Sequence, residues 1–257
     1  MGNHKIFAII FTLLSSLSLN AIAKEEIRWI AQDYPPYSYI NKAGENSGLT
    51  VEIASKIMKN IGSENNQKNI EVRKFSKFFV FRNDDTNTVF FPIAKTPNRA
   101  SKFKWVGPII TPKTILIAKK SKNIKINNPS SLSQYSIGTM SGFYAVSDLT
   151  TLGVDSGAFQ SMDNDKENLK ELSSGKVDVA LCDELSCNFS IKALNLNPND
   201  FETIYTLKSS DSSFYFAFAS DTKDDVINKT QKAFDDMKLR KNGKESAYEL
   251  IVKKYVK

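Results

Sequence analysis

A chain of 257 residues, 41% hydrophobic and 25% charged, is long enough to bury one large domain or two lobes. Its formal charge of +7 comes from thirty lysines and five arginines interleaved with 28 acids, with no arginine-rich block. That pattern argues for a solvated basic surface and against nucleic-acid binding. The single histidine is His4, so once the leader is removed, histidine triads, Cys–His pairs and histidine metal ligands are excluded.

Residues 1–23 read as that leader. Lys5 precedes an apolar run from Ile6 to Leu14, and Ala21-Ile22-Ala23 forms a small-x-small cleavage site before Lys24. The run is too short for a permanent membrane helix. No cysteine sits at the cleavage site to carry a lipid. The expectation is an exported, periplasmic, soluble monomer cut after Ala23, with 234 residues and a formal charge of +6 once Lys5 is gone.

Ile27 to Ala31 reads as a strand ended by the loop Asp33-Tyr34-Pro35-Pro36-Tyr37, since neither proline suits a central ladder. Thr50 is placed to cap a helix with the stripe Val51, Ala54, Ile57, Met58 and Ile61, stopped by Gly62. A short strand at Ile70–Val72 follows, then a helix around Phe75, Phe78 and Phe79, a turn over 83–87 and a strand from Val89 to Ile93. Thr114 to Ala118 and Tyr135 to Gly138 are strands, the second leading into Thr139-Met140-Ser141-Gly142. A helix carrying Leu169 and Leu172 stops at Gly175, and Val177 to Cys182 is a strand entering Asp183-Glu184. Phe214 to Phe218 is the last strand. Helices over 224–241 and 245–255 close the chain, the first with acids at its start and bases at its end. Strands alternating with helices predict an α/β fold with largely parallel sheets. Cys182 and Cys187 either form a disulfide, as an oxidising compartment allows, or remain buried thiols; a zinc site needs more ligands than this pair offers.

Three strand-end loops carry the chemistry: DYPPY at 33–37, AKTPNR at 94–99 and CDE at 182–184. In open α/β sheets, ligands bind beyond the carboxyl ends of strands. Arg99 offers a planar fork for a carboxylate, Asp183 acceptors for an ammonium, and Tyr34 and Tyr37 an apolar wall or cation–π face. Together they describe a zwitterion site. Taken singly, each is as readily a surface ion pair or a helix cap.

Six segments in order, DYPPYSY, GLTVEIASKIM, TPNRASKFKWVGPI, IGTMSGFYA, GKVDVALCDE and NGKESAYELIVKKY, resemble the exported solute-binding proteins of bacterial amino-acid uptake, family 3. The resemblance implies a two-lobed periplasmic-binding-protein fold of type II, with two crossovers as the hinge and the ligand cleft between the lobes. It sets the first lobe at 24–113 and 213–257 and the second at 114–212, with crossovers near Lys113-Thr114 and Ser212-Ser213. It gives Arg99 the ligand carboxylate and Asp183 the ammonium, with Tyr34 over the bound molecule and backbone near Ala94 and Gly142 completing the contacts. Tyr37, Thr96, Phe143 and Tyr144 fill out the expected site. No cofactor or metal is implied. The partners implied are a small carboxylate-bearing ligand and an inner-membrane transporter or sensor.

The sequence departs from the pattern where Ala94 replaces a common hydroxyl residue and where Phe143-Tyr144 replace small ones. The site is therefore more aromatic and poorer in hydroxyls, and the ligand expected is a small zwitterion or organic acid, foremost an amino acid or a relative of one. The alternative is a dehydratase of the cyclohexadienyl or arogenate type on the same scaffold, with Asp183 or Glu184 as acid–base.

Overall fold

The computed structural model describes residues 26–74, 86–208 and 213–256. The leader expected over 1–23, the helix expected around Phe75, Phe78 and Phe79 and most of the turn expected over 83–87 lie outside the described residues.

β1 (Arg28–Gln32) enters the DYPPY loop, and a short hairpin, β2 (Tyr39–Ile40) with β3 (Asn46–Ser47), leads to α1 (Leu49–Ile61). β4 (Glu71–Arg73) and β5 (Thr88–Ala94) follow, then the single turn α2 (Pro97–Ala100) and β6 (Phe103–Ile110). The next block runs β7 (Thr114–Lys119), β8 (Ile137–Met140), α3 (Ala145–Thr151), β9 (Phe159–Met162), α4 (Asp165–Ser174), β10 (Val179–Asp183), α5 (Glu184–Ala193) and β11 (Phe201–Leu207). β12 (Phe214–Ala219), α6 (Asp224–Lys238) and α7 (Ala247–Tyr255) complete the chain.

These strands make two five-stranded sheets, β4-β1-β5-β12-β6 and β9-β8-β10-β7-β11. Both are mixed rather than largely parallel. In each, one strand runs against its two neighbours: β12 in the first and β7 in the second. Each reversed strand is the first one after the chain crosses from the other sheet, so the two halves share one topology without an internal sequence repeat.

The first sheet is filled by aromatic rings. Trp29 meets Phe91 and Phe216 edge-on at 6.0 Å and Phe218 at 6.2 Å. The α1 stripe packs on this core together with Phe234 and Met237 of α6 and Tyr248 and Ile251 of α7. A second cluster joins Leu169, Leu172, Cys182, Cys187 and Ile191 behind the other sheet. A third cluster spans both sheets: Tyr34, Tyr37, Ala94 and Phe214 pack with Leu116, Met140, Phe143, Tyr144 and Leu181.

Several boundaries differ from the sequence reading. α6 stops at Lys238 rather than Lys241, and α7 begins at Ala247 behind a Ser246–Glu249 capping box. Thr50 does not cap α1. The N-cap is Gly48, and Thr50 lies in the first turn, where its Oγ1 donates to the Tyr37 carbonyl at 2.9 Å. The Leu49 and Thr50 amides donate to Pro36 and Tyr37 carbonyls at 3.0 and 2.8 Å. The helix start thus holds the DYPPY loop with its own unsatisfied donors.

Gly48 makes this approach feasible. Its φ of +123° is strained for any side chain, and a Cβ there would lie 2.4 Å from the Tyr37 carbonyl oxygen. Gly48→Ala is expected to lose roughly 3 kcal/mol of stability in urea unfolding, from backbone strain and the displaced loop. An unchanged midpoint would show that the loop yields freely.

Candidate functional site

The carboxyl ends of β1 and β5 face those of β8 and β10, and the loops leaving them meet. The DYPPY loop is a tight knot: Tyr34 N–H donates to the Ser38 carbonyl at 2.7 Å, and the Tyr37 amide donates to the Tyr34 carbonyl at 2.8 Å. It presents both tyrosine rings together, their centroids 5.2 Å apart. Phe214, at the start of β12, lies 6.0 Å from the Tyr34 ring, 5.1 Å from Tyr37 and 6.3 Å from Tyr144.

Arg99 sits on α2, just past β5, with its amide donating to the Thr96 carbonyl at 2.9 Å. Proline at the start of α2 fixes that turn, because its missing N–H is one the helix start leaves unused. The guanidinium folds back toward the strand end, Nη1 reaching the Ala94 carbonyl at 3.4 Å. Partial burial lowers its pKa from the ordinary arginine value.

Arg99 borders a cavity of about 20 Å³ between the sheets. Its aromatic walls are Tyr34, Phe143, Tyr144 and Phe214; Ala94 and Gly142 contribute backbone. Of the described lining residues, Arg99 alone carries a formal charge. A space of this size holds about one water molecule.

Asp183 lies behind the tyrosines rather than in that wall. It is fully buried, and its carboxylate is occupied. The Tyr34 hydroxyl donates to Oδ2, the Tyr37 hydroxyl to Oδ1 at 2.8 Å and the Ser186 amide to Oδ1 at 3.0 Å. The Leu185 amide is a further backbone donor. Asp183 is therefore the N-cap of α5 as well as the acceptor for two tyrosines from the opposite sheet. Burial pushes its carboxyl up, against the pull of these donors. Both tyrosine hydroxyls are raised well above the usual value, first by burial and then by the Asp183 charge.

A second buried carboxyl stands next to it. Asp165, only 3% exposed, opens α4 and accepts from Ser186 Oγ at 2.6 Å. Burial first, then the Asp183 charge, pushes it up to about 7. Glu184 turns away, paired with Lys113 at 2.6 Å beside the crossover. Among the described residues, no cluster of three or more His, Cys, Asp or Glu could hold a metal.

The cysteines form a disulfide. Cys182 and Cys187, with Cα atoms 6.0 Å apart, tie the end of β10 to α5 on either side of Asp183. Cys182→Ala with Cys187→Ala is expected to cost about 2 kcal/mol, the loop-closure entropy of so short a loop. Urea unfolding measures it; equal midpoints with and without the bond would contradict this.

Of the residues predicted from sequence, Tyr34, Ala94, Arg99, Gly142, Phe143 and Tyr144 converge on the cavity. Tyr37 and Asp183 form the layer behind it, and Thr96 lies outside the lining as the N-cap of α2. Sequence reasoning missed Gln32, Met140 and Phe214 in the wall, and Asp165 behind it. Gln32 Nε2 meets Met140 Sδ across the cleft at 3.7 Å. Gln32 and Met140 were marked by position alone, as the last residues of strands whose next loops were already singled out; Phe214 opens β12 and Asp165 opens α4, where no such mark exists.

Two mixed α/β sheets, two crossovers and strand ends converging on an aromatic cavity with one arginine define a two-lobed binding-protein fold. Residues 28–257 match the model of the bacterial extracellular solute-binding proteins, family 3, and the chain belongs to that family. A search of the curated proteins returns no match.

Solved structures agree on the fold. A histidine kinase sensor domain with similarity to periplasmic binding proteins superposes with a TM-score of 0.74 at 18% identity, covering 90% of this chain and 96% of that one. A structure from work on glutathione import through a cystine ABC importer of Streptococcus mutans gives 0.71 at 22% identity, covering 90% and 95%. An ancestral amino-acid-binding protein described as a precursor of cyclohexadienyl dehydratase gives 0.70 at 18% identity, covering 92% and 97%. No described helix is long and apolar enough to cross a membrane.

Proposed function

We propose that this protein is exported to the periplasm, loses residues 1–23 and captures a small carboxylate-bearing solute between its lobes for an inner-membrane transporter or sensor. The lobes are 24–113 with 213–257, and 114–212. The observation that carries the reading is Arg99, which borders an aromatic cavity where the carboxyl edges of the two sheets meet. A guanidinium there meets a carboxylate with two parallel hydrogen bonds in a site of reduced dielectric. Because the cavity is smaller than any such solute, binding requires the lobes to part and close again about the crossovers. Two charge-assisted hydrogen bonds at about 1.5–3 kcal/mol each, plus burial on the rings, reach the roughly −8 kcal/mol of a micromolar ligand before association costs.

The neighbouring structures include a sensor domain, a protein of an import system and a precursor of an enzyme, so the fold leaves each of these roles open. Binding fits this site best. Glu184 is paired outside the cavity, and Asp183 is screened from it by the tyrosines, so neither carboxyl faces a substrate held at Arg99. A thermal-shift screen of small acids and zwitterions on the mature protein, followed by calorimetry and a turnover assay, tests the reading. Saturable binding without turnover supports it; catalytic consumption of a bound acid would replace it.

A further inference from the structure

We infer that Tyr34 and Tyr37 set the specificity of this site, making it select acids that lack an ammonium group over the corresponding α-amino acids. The inference rests on the reading of Arg99 as the carboxylate anchor.

A carboxylate offers about four acceptor positions. In Asp183 they meet the hydroxyls of Tyr34 and Tyr37 and the amides of Ser186 and Leu185. The two amides belong to the start of α5 and stay with Asp183 whatever the lobes do. The two hydroxyls come from the opposite sheet and return to it on closure. An incoming ammonium would have to take their place. Two buried hydroxyls would then lose their acceptor, which disfavours the exchange.

An acid without an amino group leaves Asp183 to the two hydroxyls as the lobes close around it, in a cleft wider than the present cavity of about 20 Å³. Its carboxylate meets Arg99, and its remaining body meets the rings of Phe143, Tyr144 and Phe214. An ammonium left in the cavity instead would lie near the Arg99 guanidinium, and none of the described lining residues is a carboxylate that could balance it.

The test is calorimetric titration with matched pairs, phenylalanine against phenylpropionate and glutamate against glutarate. It is run on the wild type, Arg99→Ala and the double variant Tyr34→Phe with Tyr37→Phe. The wild type is expected to bind the acid without an amino group about tenfold or more tightly than its partner. In the double variant Asp183 has lost both hydroxyl donors, and the ratio should move by at least about tenfold toward the amino acid. Equal or tighter binding of the amino acid by the wild type overturns the inference and leaves the Arg99 site standing. So does a ratio unchanged in the double variant. If that variant does not fold, the wild-type ratio decides alone. Binding indifferent to Arg99→Ala, or no binding by any of the four compounds, fails the site itself and the inference with it.

Discussion

Arg99→Ala is expected to abolish ligand binding while leaving the empty protein folded. The side chain lies on the short α2 turn at the cavity edge, outside the three main core clusters, so its removal opens space without emptying a core. Ligand at a hundred times its dissociation constant should stabilise the wild type by about 2.7 kcal/mol. For a chain of this size that is roughly 5–10 °C in melting temperature. The shift should vanish in Arg99→Ala. Arg99→Lys should retain little of it, because a point ammonium cannot reproduce a two-bond fork; a loss of about a hundredfold in affinity corresponds to the missing charge-assisted bonds. A purely structural arginine predicts the reverse: a lower melting point for the empty mutant and an undiminished ligand shift.

The second large effect concerns pH. Asp165 is held near 7 in the folded protein against 3.8 as its ordinary value. Between those two pH values the folded state binds more protons than the unfolded one, so stability falls as pH rises through that window. The contribution is fully present below about pH 4 and lost above about pH 7, with a magnitude of about 4 kcal/mol. Asp183, raised by the same burial, acts with the same sign. Asp165→Asn keeps an amide oxygen to accept from Ser186 Oγ and removes the ionisation. Urea unfolding at pH 5 and pH 8 should therefore show a steeper loss for the wild type than for Asp165→Asn, with the variant the more stable at pH 8. Parallel pH profiles would mean that the carboxyl titrates in the folded state as it does in the unfolded chain.

What the sequence made legible was the local part. Glycine at 62 and 175 ends α1 and α4 in left-handed conformations, as their positions after apolar stripes foretold. Arg99 stood out as a scarce guanidinium after a buried strand, and the loops at 33–37 and 182–184 were marked as strand ends. Asp183 was marked at the end of its strand, but its partners come from 149 and 146 residues away in the chain, beyond any local pattern. Its two readings, ligand group and helix cap, were both open in sequence, and the cap is the one the geometry displays.

Asp165 was invisible for a different reason. Behind the Asn164 cap it reads as an ordinary first-turn acid, and only the packing of α4 against α5 buries it. Gly48 was passed over in favour of Thr50 because a glycine cap has no side chain to betray it. The reversed strands escaped for a similar reason, since strand direction is set by the crossovers and leaves no mark on periodicity.

A crystal structure of the protein with a bound acid from the screen decides where the ligand sits. The ligand carboxylate is expected in a two-bond contact with the Arg99 guanidinium, its body against Phe143, Tyr144 and Phe214, and the Tyr34 and Tyr37 hydroxyls on Asp183. A ligand seated between the lobes with its carboxylate away from Arg99, or bound outside the cleft altogether, would contradict that placement.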